Sequence, residues 1–213
     1  MKIDAPENYE ARSFTGGVEV RKKDDGSAVI VGMAAVFDKR SENLGGFREI
    51  ISPGAFDDTD MSDVRGLFNH DANYVLGRNK AETLRVKPNA NGLHYEIDLP
   101  DTQTIRDLVL GPIERGDVDQ SSFGFIVGRG NDSWDEDDEG VLIRTIHKIR
   151  ELFDVSPVTF PAYQDTTVGA RSMKSFLENR EQMVEQAKAE MDERNGRSRT
   201  VEAIGRRAQM PGG

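Results

Sequence analysis

The chain has 213 residues, no cysteine and a formal net charge of -10. A chain of this length can bury one main core and still carry an appendage. The lack of cysteine excludes a disulfide framework, a thiolate nucleophile and a cysteine-based zinc site. The acidic balance argues against a nucleic-acid partner, because duplex binding needs a basic face.

Neither a membrane span nor a leader is evident in the sequence. No apolar run approaches the roughly 20 residues that cross a bilayer, and the opening MKIDAPENYEARSF lacks the apolar core of a signal peptide. We therefore expect a cytoplasmic protein without a membrane partner. The charge is uneven, since residues 195–213 carry four arginines against one glutamate. This basic end is either a solvated tail or a docking or processing segment.

The first half of the chain is typical of short β-strands. Residues 1–12 are polar, and we expect them to be flexible. The β-rich runs FTGGVEVRKK and AVIVGMAAVF flank a turn at 24–27, which predicts a hairpin. Short strands are also predicted in GGFREII and GLFNHD. In TLRVKPNANGLHYEIDLP, Leu93, Tyr95 and Ile97 alternate with polar residues, which predicts a second hairpin.

The second half adds two helices to this pattern. Apolar residues at helical spacing predict a helix over 102–114 (Ile105, Leu108, Val109). The runs SSFGFIVG and VLIRTIHKIRELFDVSPVTF predict a long antiparallel pair that turns at the acidic loop NDSWDEDDEG. From Ser172 the sequence favours a helix that stops at Asn195-Gly196. Many short strands with few helices between them predict a closed or nearly closed β-structure with peripheral helices.

The stretch DQSSFGF raises the question of whether Ser121 or Ser122 does chemistry. A serine hydroxyl needs a base, usually a histidine that a carboxylate or a second imidazole orients. His70 follows an apolar run in FNHD, and Asp154 interrupts the apolar run LFDVSP, where a buried acid needs a partner. The spacing of these residues alone does not establish a triad.

Other assignments of the polar residues stay open at this point. Asp71 and His147 are weaker candidates for the third group, and a structural role is the default for His147. We expect His94 to lie on the surface. The sequence contains no GxSxG elbow, P-loop, HExxH or dinucleotide fingerprint.

The acidic loop resembles half of a calcium site. Asp135, Asp137, Glu139 and Gly140 match its first half, but Ile146 occupies the twelfth position, where calcium loops have a bidentate glutamate. We therefore interpret the run as a solvated hairpin loop and expect no metal or cofactor.

Five motifs in order resemble the prohead maturation proteases of tailed phages, serine peptidases related to herpesvirus assemblin. The motifs are GGFREIISPGAF, LFNHD followed by LGR, TLRV with NGLHYEIDLP, IERGDVDQSSFGF, and LFDVSPVTFPAY. The resemblance covers residues 14–171 and implies a protease domain over 13–171, followed by a helical and basic tail over 172–213. It also implies a mainly β fold, a small closed β-barrel of the assemblin-like type with peripheral α-helices and a C-terminal helix.

The resemblance implies roles for particular residues as well. The family's histidine falls on His70, its serine on Ser122 before the aromatic-Gly-aromatic run, and its acid on Asp154. Many relatives have Glu at this last position, so Asp154 is a shorter variant. Assemblin has a histidine as its third member, which keeps His147 as an alternative. Strand alternation sends Ser121 and Ser122 to opposite faces, so only one of them can meet His70.

The function implied by the resemblance is that of a serine endopeptidase without a cofactor. It would cleave scaffold protein, or the scaffold-like segment of the major capsid protein, during procapsid maturation, and it would also trim itself. Its partners would be these proteins in the assembling procapsid of the host cytoplasm, and a homo-oligomer is compatible with the sequence. Backbone amides, helped by an arginine such as Arg144 or Arg150, would form the oxyanion hole.

Alternatives for the whole chain and for its C-terminal segment accompany this interpretation. The chain could be a non-catalytic β-barrel that serves as a scaffold or head-assembly protein, or a calcium-stabilised binding module. The C-terminal segment could be a targeting element that is removed later, or a helix that merely packs on the barrel.

Overall fold

The structure, a computed structural model, describes residues 6–15, 17–160 and 167–208. The chain separates into two compact units between Ala170 and Arg171. The described part of the first unit is built from twelve β-strands and short helical segments, and the described part of the second unit belongs to one long helix. The division lies next to residue 172, where the sequence predicts the tail to begin.

The strands are β1 (Glu10–Thr15), β2 (Val18–Lys22), β3 (Ala28–Val36), β4 (Phe47–Ile51), β5 (Arg65–Phe68), β6 (Asp71–Arg78), β7 (Leu84–Pro88), β8 (Gly92–Asp98), β9 (Gln120–Val127), β10 (Asp132–Glu136), β11 (Leu142–Ile146) and β12 (Ile149–Val158). The helical segments are a 3₁₀ turn (Asn79–Ala81), α1 (Gln103–Ile105), a π-helical segment (Arg106–Leu110), α2 (Gly111–Arg115) and α3 (Thr167–Ala208). Among the described residues, none of these helices is long and apolar enough to cross a membrane.

A five-stranded sheet carries the residues of interest in the order β1-β9-β12-β5-β6. Its neighbours run antiparallel, except that β12 and β5 are parallel. In this sheet Ser122 of β9 is paired with Ser156 of β12, and Gly124 is paired with Asp154. The start of β6 is joined to β5 by a two-residue turn, since Phe68 pairs with Asp71. The sheet therefore brings DQSSFGF, LFDVSP and FNHD side by side.

The four-stranded sheet confirms both predicted hairpins. This sheet has the order β2-β3-β8-β7, with antiparallel pairs β2–β3 and β7–β8 at the predicted turns. A three-stranded sheet has the order β10-β11-β4. The acidic loop differs from the prediction, because β10 and β11 form their own hairpin there before β12 returns to pair with β9. Turn signals mark where the chain reverses but do not show how many strands the reversal contains.

The core lies between the five-stranded and four-stranded sheets. Tyr95 and Ile97 of β8 are fully buried, as are Phe123 and Phe125 of β9. The Tyr95 hydroxyl lies 2.8 Å from Ser121 Oγ on the facing sheet. The apolar face predicted for β8 is therefore confirmed, and it packs under the strand that carries both serines.

The fold is mainly β, as predicted, but the closed barrel is wrong. The sheets are open in the described residues, and β1 and β6 are the outer strands of the five-stranded sheet. Closure would require these outer strands to join in one continuous ladder. The apolar faces are buried instead by packing one sheet on another. Strand patterns in a sequence do not distinguish these two ways of covering an apolar face.

The flexible N-terminal segment predicted over 1–12 also needs correction. Glu10, Ala11 and Arg12 belong to β1 and are almost completely buried. Residues 1–5 of that segment lie outside the described residues. The polar residues of β1 give no strand signal in the sequence, because its charged side chains form ion pairs inside the protein instead of facing solvent.

The two predicted helices are present with altered details. The segment at 103–115 buries Ile105, Val109 and Ile113, while Leu108 is 49% exposed. A π-helical stretch in its middle changes the spacing of the buried positions from the one predicted. Helix α3 continues through Asn195-Gly196 to Ala208, so the predicted stop is wrong. One glycine costs a helix only about 1 kcal/mol, which surrounding helix-forming residues can offset.

Candidate active site

His70 occupies the second position of the two-residue turn between β5 and β6. Asn69 and His70 have φ values of 54° and 55°, both in the left-handed region. Two-residue hairpin turns of type I′ need positive φ at both central residues. Asn69 is held by hydrogen bonds at the end of β12: its N–H donates to Pro157 O at 3.0 Å, and its Oδ1 accepts at 2.8 Å from the N–H of Thr159, the residue after the strand. The turn therefore fixes the imidazole beside β12.

Ser121 and Ser122 point to opposite faces of β9, as strand alternation predicts. Ser121 Oγ lies in the core against the Tyr95 hydroxyl. Ser122 Oγ lies 2.6 Å from His70 Nε2 on the other face. Only Ser122 therefore meets the histidine.

Asp154 approaches the other nitrogen of the same imidazole. Its Oδ2 lies 2.6 Å from His70 Nδ1. With the proton on Nδ1 donated to Asp154, the Nε2 lone pair faces Ser122, which is the arrangement a general base requires. The histidine side chain is 19% exposed and the aspartate side chain 6%. The structure thus brings together the three residues named from the sequence, and the short aspartate reaches the ring.

Two more hydroxyl groups contact Asp154, and neither was singled out from the sequence. The Tyr9 hydroxyl donates to Asp154 Oδ1 at 2.9 Å, and Ser156 Oγ donates to Asp154 Oδ2 at 2.8 Å. Ser156 stands two residues after the acid on the same strand face, so the spacing in LFDVSP was a usable signal. Tyr9 is far away in sequence, and no local pattern connects it with Asp154.

A backbone carbonyl also contacts the Ser122 hydroxyl. Ser122 Oγ lies 2.9 Å from Arg12 O and 2.6 Å from His70 Nε2. The hydroxyl has one proton, so it can donate to only one of these two acceptors at a time. The Ser122 side chain is fully buried. A substrate carbonyl can therefore reach Oγ only after the groups around it move.

A buried charge cluster joins β1 to β4, β10 and β11, and it contains one of the candidate oxyanion arginines. Arg144 donates to Glu10, Glu49 and Asp132, with its shortest bonds at 2.7 Å. Arg12 donates to both Glu10 and Glu49. Burial tends to lower the pKa of Arg144, but the neighbouring Glu49 and Glu10 more than compensate and raise it. The Arg144 guanidinium is therefore committed to carboxylates, while Arg150 is exposed on β12.

The remaining polar candidates lie elsewhere. His147 is exposed, with Nε2 2.7 Å from Ser133 Oγ and Nδ1 3.3 Å from Ser52 Oγ, so the structure does not place it at His70. Asp71 accepts hydrogen bonds from Asn73, whose backbone N–H lowers the pKa of that carboxyl.

Hydrogen bonds to Asp137 stabilise the acidic hairpin loop. Asp137 Oδ1 accepts from Val141 N at 2.9 Å and from Glu139 N at 3.1 Å, while Oδ2 accepts from Arg40 at 2.7 Å. Within the described residues, no group of three or more acidic or histidine side chains could hold a metal ion. Asp137, which resembles a calcium ligand in the sequence, instead accepts hydrogen bonds that stabilise the turn.

Comparison with known proteins supplies a family. A family model described as "Caudovirus prohead serine protease" matches residues 17–179. Among solved structures, the bacteriophage T4 capsid assembly protease gp21 is similar, with 10% sequence identity and a TM-score of 0.39. That match covers 70% of this chain and 97% of the T4 chain. No curated protein matches the chain at a significant level.

Proposed function

The chain belongs to the caudovirus prohead serine protease family, and we propose that Ser122, His70 and Asp154 are its catalytic nucleophile, general base and orienting acid. Family membership makes it a serine protease of phage capsid maturation and sets aside the non-catalytic assembly protein. The assignment of the three roles rests on one observation, the imidazole that lies 2.6 Å from both Ser122 Oγ and Asp154 Oδ2.

In the proposed mechanism His70 Nε2 takes the Ser122 proton as Oγ attacks a peptide carbonyl. The new C–O bond gives a tetrahedral oxyanion, which collapses to an acyl-enzyme as His70 protonates the leaving amine. Asp154 keeps the Nδ1 tautomer in place and stabilises the imidazolium. Water then hydrolyses the ester by the same base. Because Arg144 is held by three carboxylates and Arg150 lies near Gly128, beyond the end of β9 that is far from Ser122, backbone amides are the better oxyanion donors in this scheme.

The neighbouring serines allow a direct test of the nucleophile. Intact mass is followed over time for the wild type, Ser121→Ala and Ser122→Ala. Loss of a terminal piece from the wild type and Ser121→Ala, but not from Ser122→Ala, supports the assignment. Removal of such a nucleophile typically costs about 10⁴–10⁶ in kcat. Processing of Ser122→Ala at the wild-type rate would contradict the role of Ser122.

If all three proteins stay whole, the same trio is co-expressed with the capsid protein. The proposed substrate is the scaffold protein or the scaffold-like segment of the major capsid protein, together with the protease itself. Cleavage by the wild type and Ser121→Ala under these conditions means that the enzyme requires its assembly partners. The fully buried Ser122 side chain favours such a delay, because a protease that acts too early would destroy the scaffold that assembly needs.

The proposed site of action is the assembling procapsid in the host cytoplasm, and α3 is the proposed targeting element. This helix extends from Thr167 to Ala208 and forms most of the second unit. Deletion of 172–213 should leave the sheets folded and prevent entry into procapsids. Unchanged incorporation of the truncated protein would mean that α3 has another role.

A further inference from the structure

The Asp154 carboxylate needs more than its bond to His70 to act as an orienting acid. The terminal torsion of an aspartate is broad, so a single hydrogen bond does not determine which oxygen faces the imidazole. The hydroxyls of Tyr9 and Ser156 also donate hydrogen bonds to this carboxylate. With His70, they give it three donors on two oxygens.

Tyr9 reaches Asp154 from the segment before β1. Its ring packs edge-on against Phe153, with centroids 5.9 Å apart, and its hydroxyl donates to Asp154 Oδ1 at 2.9 Å. The hydroxyl occupies space that Gly124 leaves open, because a Cβ at that position would collide with both Tyr9 and Asp154. Tyr9 lies outside residues 17–179, the part that the family model matches.

Ser156 reaches the carboxylate from within β12. Its side chain is fully buried, and Oγ donates at 2.8 Å to Oδ2, the oxygen that also contacts His70. Oγ lies 3.5 Å from His70 Nδ1, at the limit of a hydrogen bond. The serine thus stands beside the His70–Asp154 bond, and its only short contact there is with the acid.

We propose that Tyr9 and Ser156 are positioning residues that hold the Asp154 carboxylate toward His70 Nδ1. This inference rests on the catalytic roles proposed above. Tyr9 fixes Oδ1, Ser156 fixes Oδ2, and the carboxylate is left with one orientation in which it accepts the Nδ1 proton. The N-terminal segment would then contribute a group to the active site, although it precedes the residues that the family model matches.

Proton NMR of the full chain tests the positioning without a substrate. A short imidazole-to-carboxylate bond gives a far-downfield N–H resonance, which is assigned to His70 by its loss in His70→Asn and Asp154→Asn. Tyr9→Phe and Ser156→Ala should each shift or broaden this resonance. Ser133→Ala, which removes a serine hydroxyl from His147, and Tyr95→Phe, which removes a buried tyrosine hydroxyl, should leave it in place. An unchanged resonance in both test variants would overturn the proposal.

A fluorescent fluorophosphonate then measures the consequence for Ser122. Ser122 Oγ forms a bond to phosphorus, fluoride leaves, and His70 takes the hydroxyl proton. The maximal labelling rate should fall about threefold to tenfold in each test variant, as expected for loss of one hydrogen bond of ordinary strength. The half-saturating probe concentration should not change. In an Asp154→Asn background, Tyr9→Phe and Ser156→Ala should cause no further loss.

The two measurements separate the two proposals. Wild-type protein that is labelled at Ser122, with test variants that react equally fast, would refute the positioning role and leave the triad intact. Wild-type protein that shows the His70 resonance but is labelled at Ser122 neither alone nor after co-expression with the capsid protein would count against the nucleophile. The NMR comparison would still decide the roles of Tyr9 and Ser156.

Discussion

Gly124 lies opposite Asp154 in the β9–β12 ladder, and its missing side chain leaves the space in which the Tyr9 hydroxyl meets the Asp154 carboxylate. An added Cβ would collide with both groups. We therefore expect Gly124→Ala to displace Asp154 from His70 and to reduce the rate of Ser122 labelling at least tenfold. The measurement is the labelling rate of the folded fraction, with folding checked by circular dichroism.

Gly111→Ala is the matched control for this substitution. A Cβ at Gly111 would meet only Arg106 O at 3.4 Å. In a helix the change from glycine to alanine favours folding by roughly 0.5–1 kcal/mol, so the labelling rate should stay at the wild-type value. A Gly124→Ala protein that reacts as fast as Gly111→Ala would show that Asp154 tolerates the crowding.

The local parts of the fold could be predicted because local signals determine them. The β2–β3 and β7–β8 hairpins join neighbouring strands across short turns, and each apolar alternation is complete within one strand. The parallel pairing of β12 with β5 connects Asp154 with Arg65, which lies far from it in the sequence. No local pattern specifies such a pairing, so the order of the strands and the open sheets had to come from the structure.

The same distinction explains which parts of the site were missed. His70, Ser122 and Asp154 could be named because each belongs to a motif in an ordered series. Tyr9 lies in a polar segment that was expected to be flexible, and the residues after it form a strand whose charges are neutralised inside the protein. Glu10 and Arg12 can be buried because Arg12 donates to Glu10 and Glu49, and Arg144 also donates to Glu10. A hydropathy pattern scores these residues as exposed.

His70 is required for the proposed activity, but its backbone conformation reduces stability. The His70 φ of 55° is unfavourable for any residue with a Cβ, at a cost of about 1 kcal/mol or more. Both His70→Ala and His70→Gly should abolish Ser122 labelling, because the base is gone. The glycine variant should be more stable than the alanine variant by about 1 kcal/mol, since only glycine removes the strain.

Urea unfolding of the two His70 variants gives this difference directly. Both lack the same hydrogen bonds to Ser122 and Asp154, so the comparison isolates the backbone. Equal stabilities would indicate that the turn carries no strain at this position.

The buried charge cluster predicts that Arg144 matters to stability. Removing its guanidinium in Arg144→Met leaves Glu10 and Glu49 with one cation, Arg12, in a buried site. Loss of one partner from a buried ion pair costs about 3–5 kcal/mol, and urea unfolding should show a loss of this size. Arg150→Met, on the exposed surface of the same domain, should change the free energy of unfolding by less than about 0.5 kcal/mol. A mild effect at Arg144 would mean that the cluster rearranges.

Because Tyr95 is buried, we expect the free energy of unfolding to fall at alkaline pH. Burial raises the pKa of Tyr95 above the usual tyrosine value of about 10. Above that pH the unfolded chain releases a phenol proton that the folded protein retains, so the stability from this group is complete below pH 10 and declines as the pH rises past it. The decline approaches about 1.4 kcal/mol per pH unit.

Urea unfolding between pH 9 and 11 should therefore show a steeper fall in stability for the wild type than for Tyr95→Phe. The control variant Tyr74→Phe removes a phenol that is 39% exposed and should follow the wild type. Parallel curves for the wild type and Tyr95→Phe would mean that the buried phenol ionises without unfolding the protein.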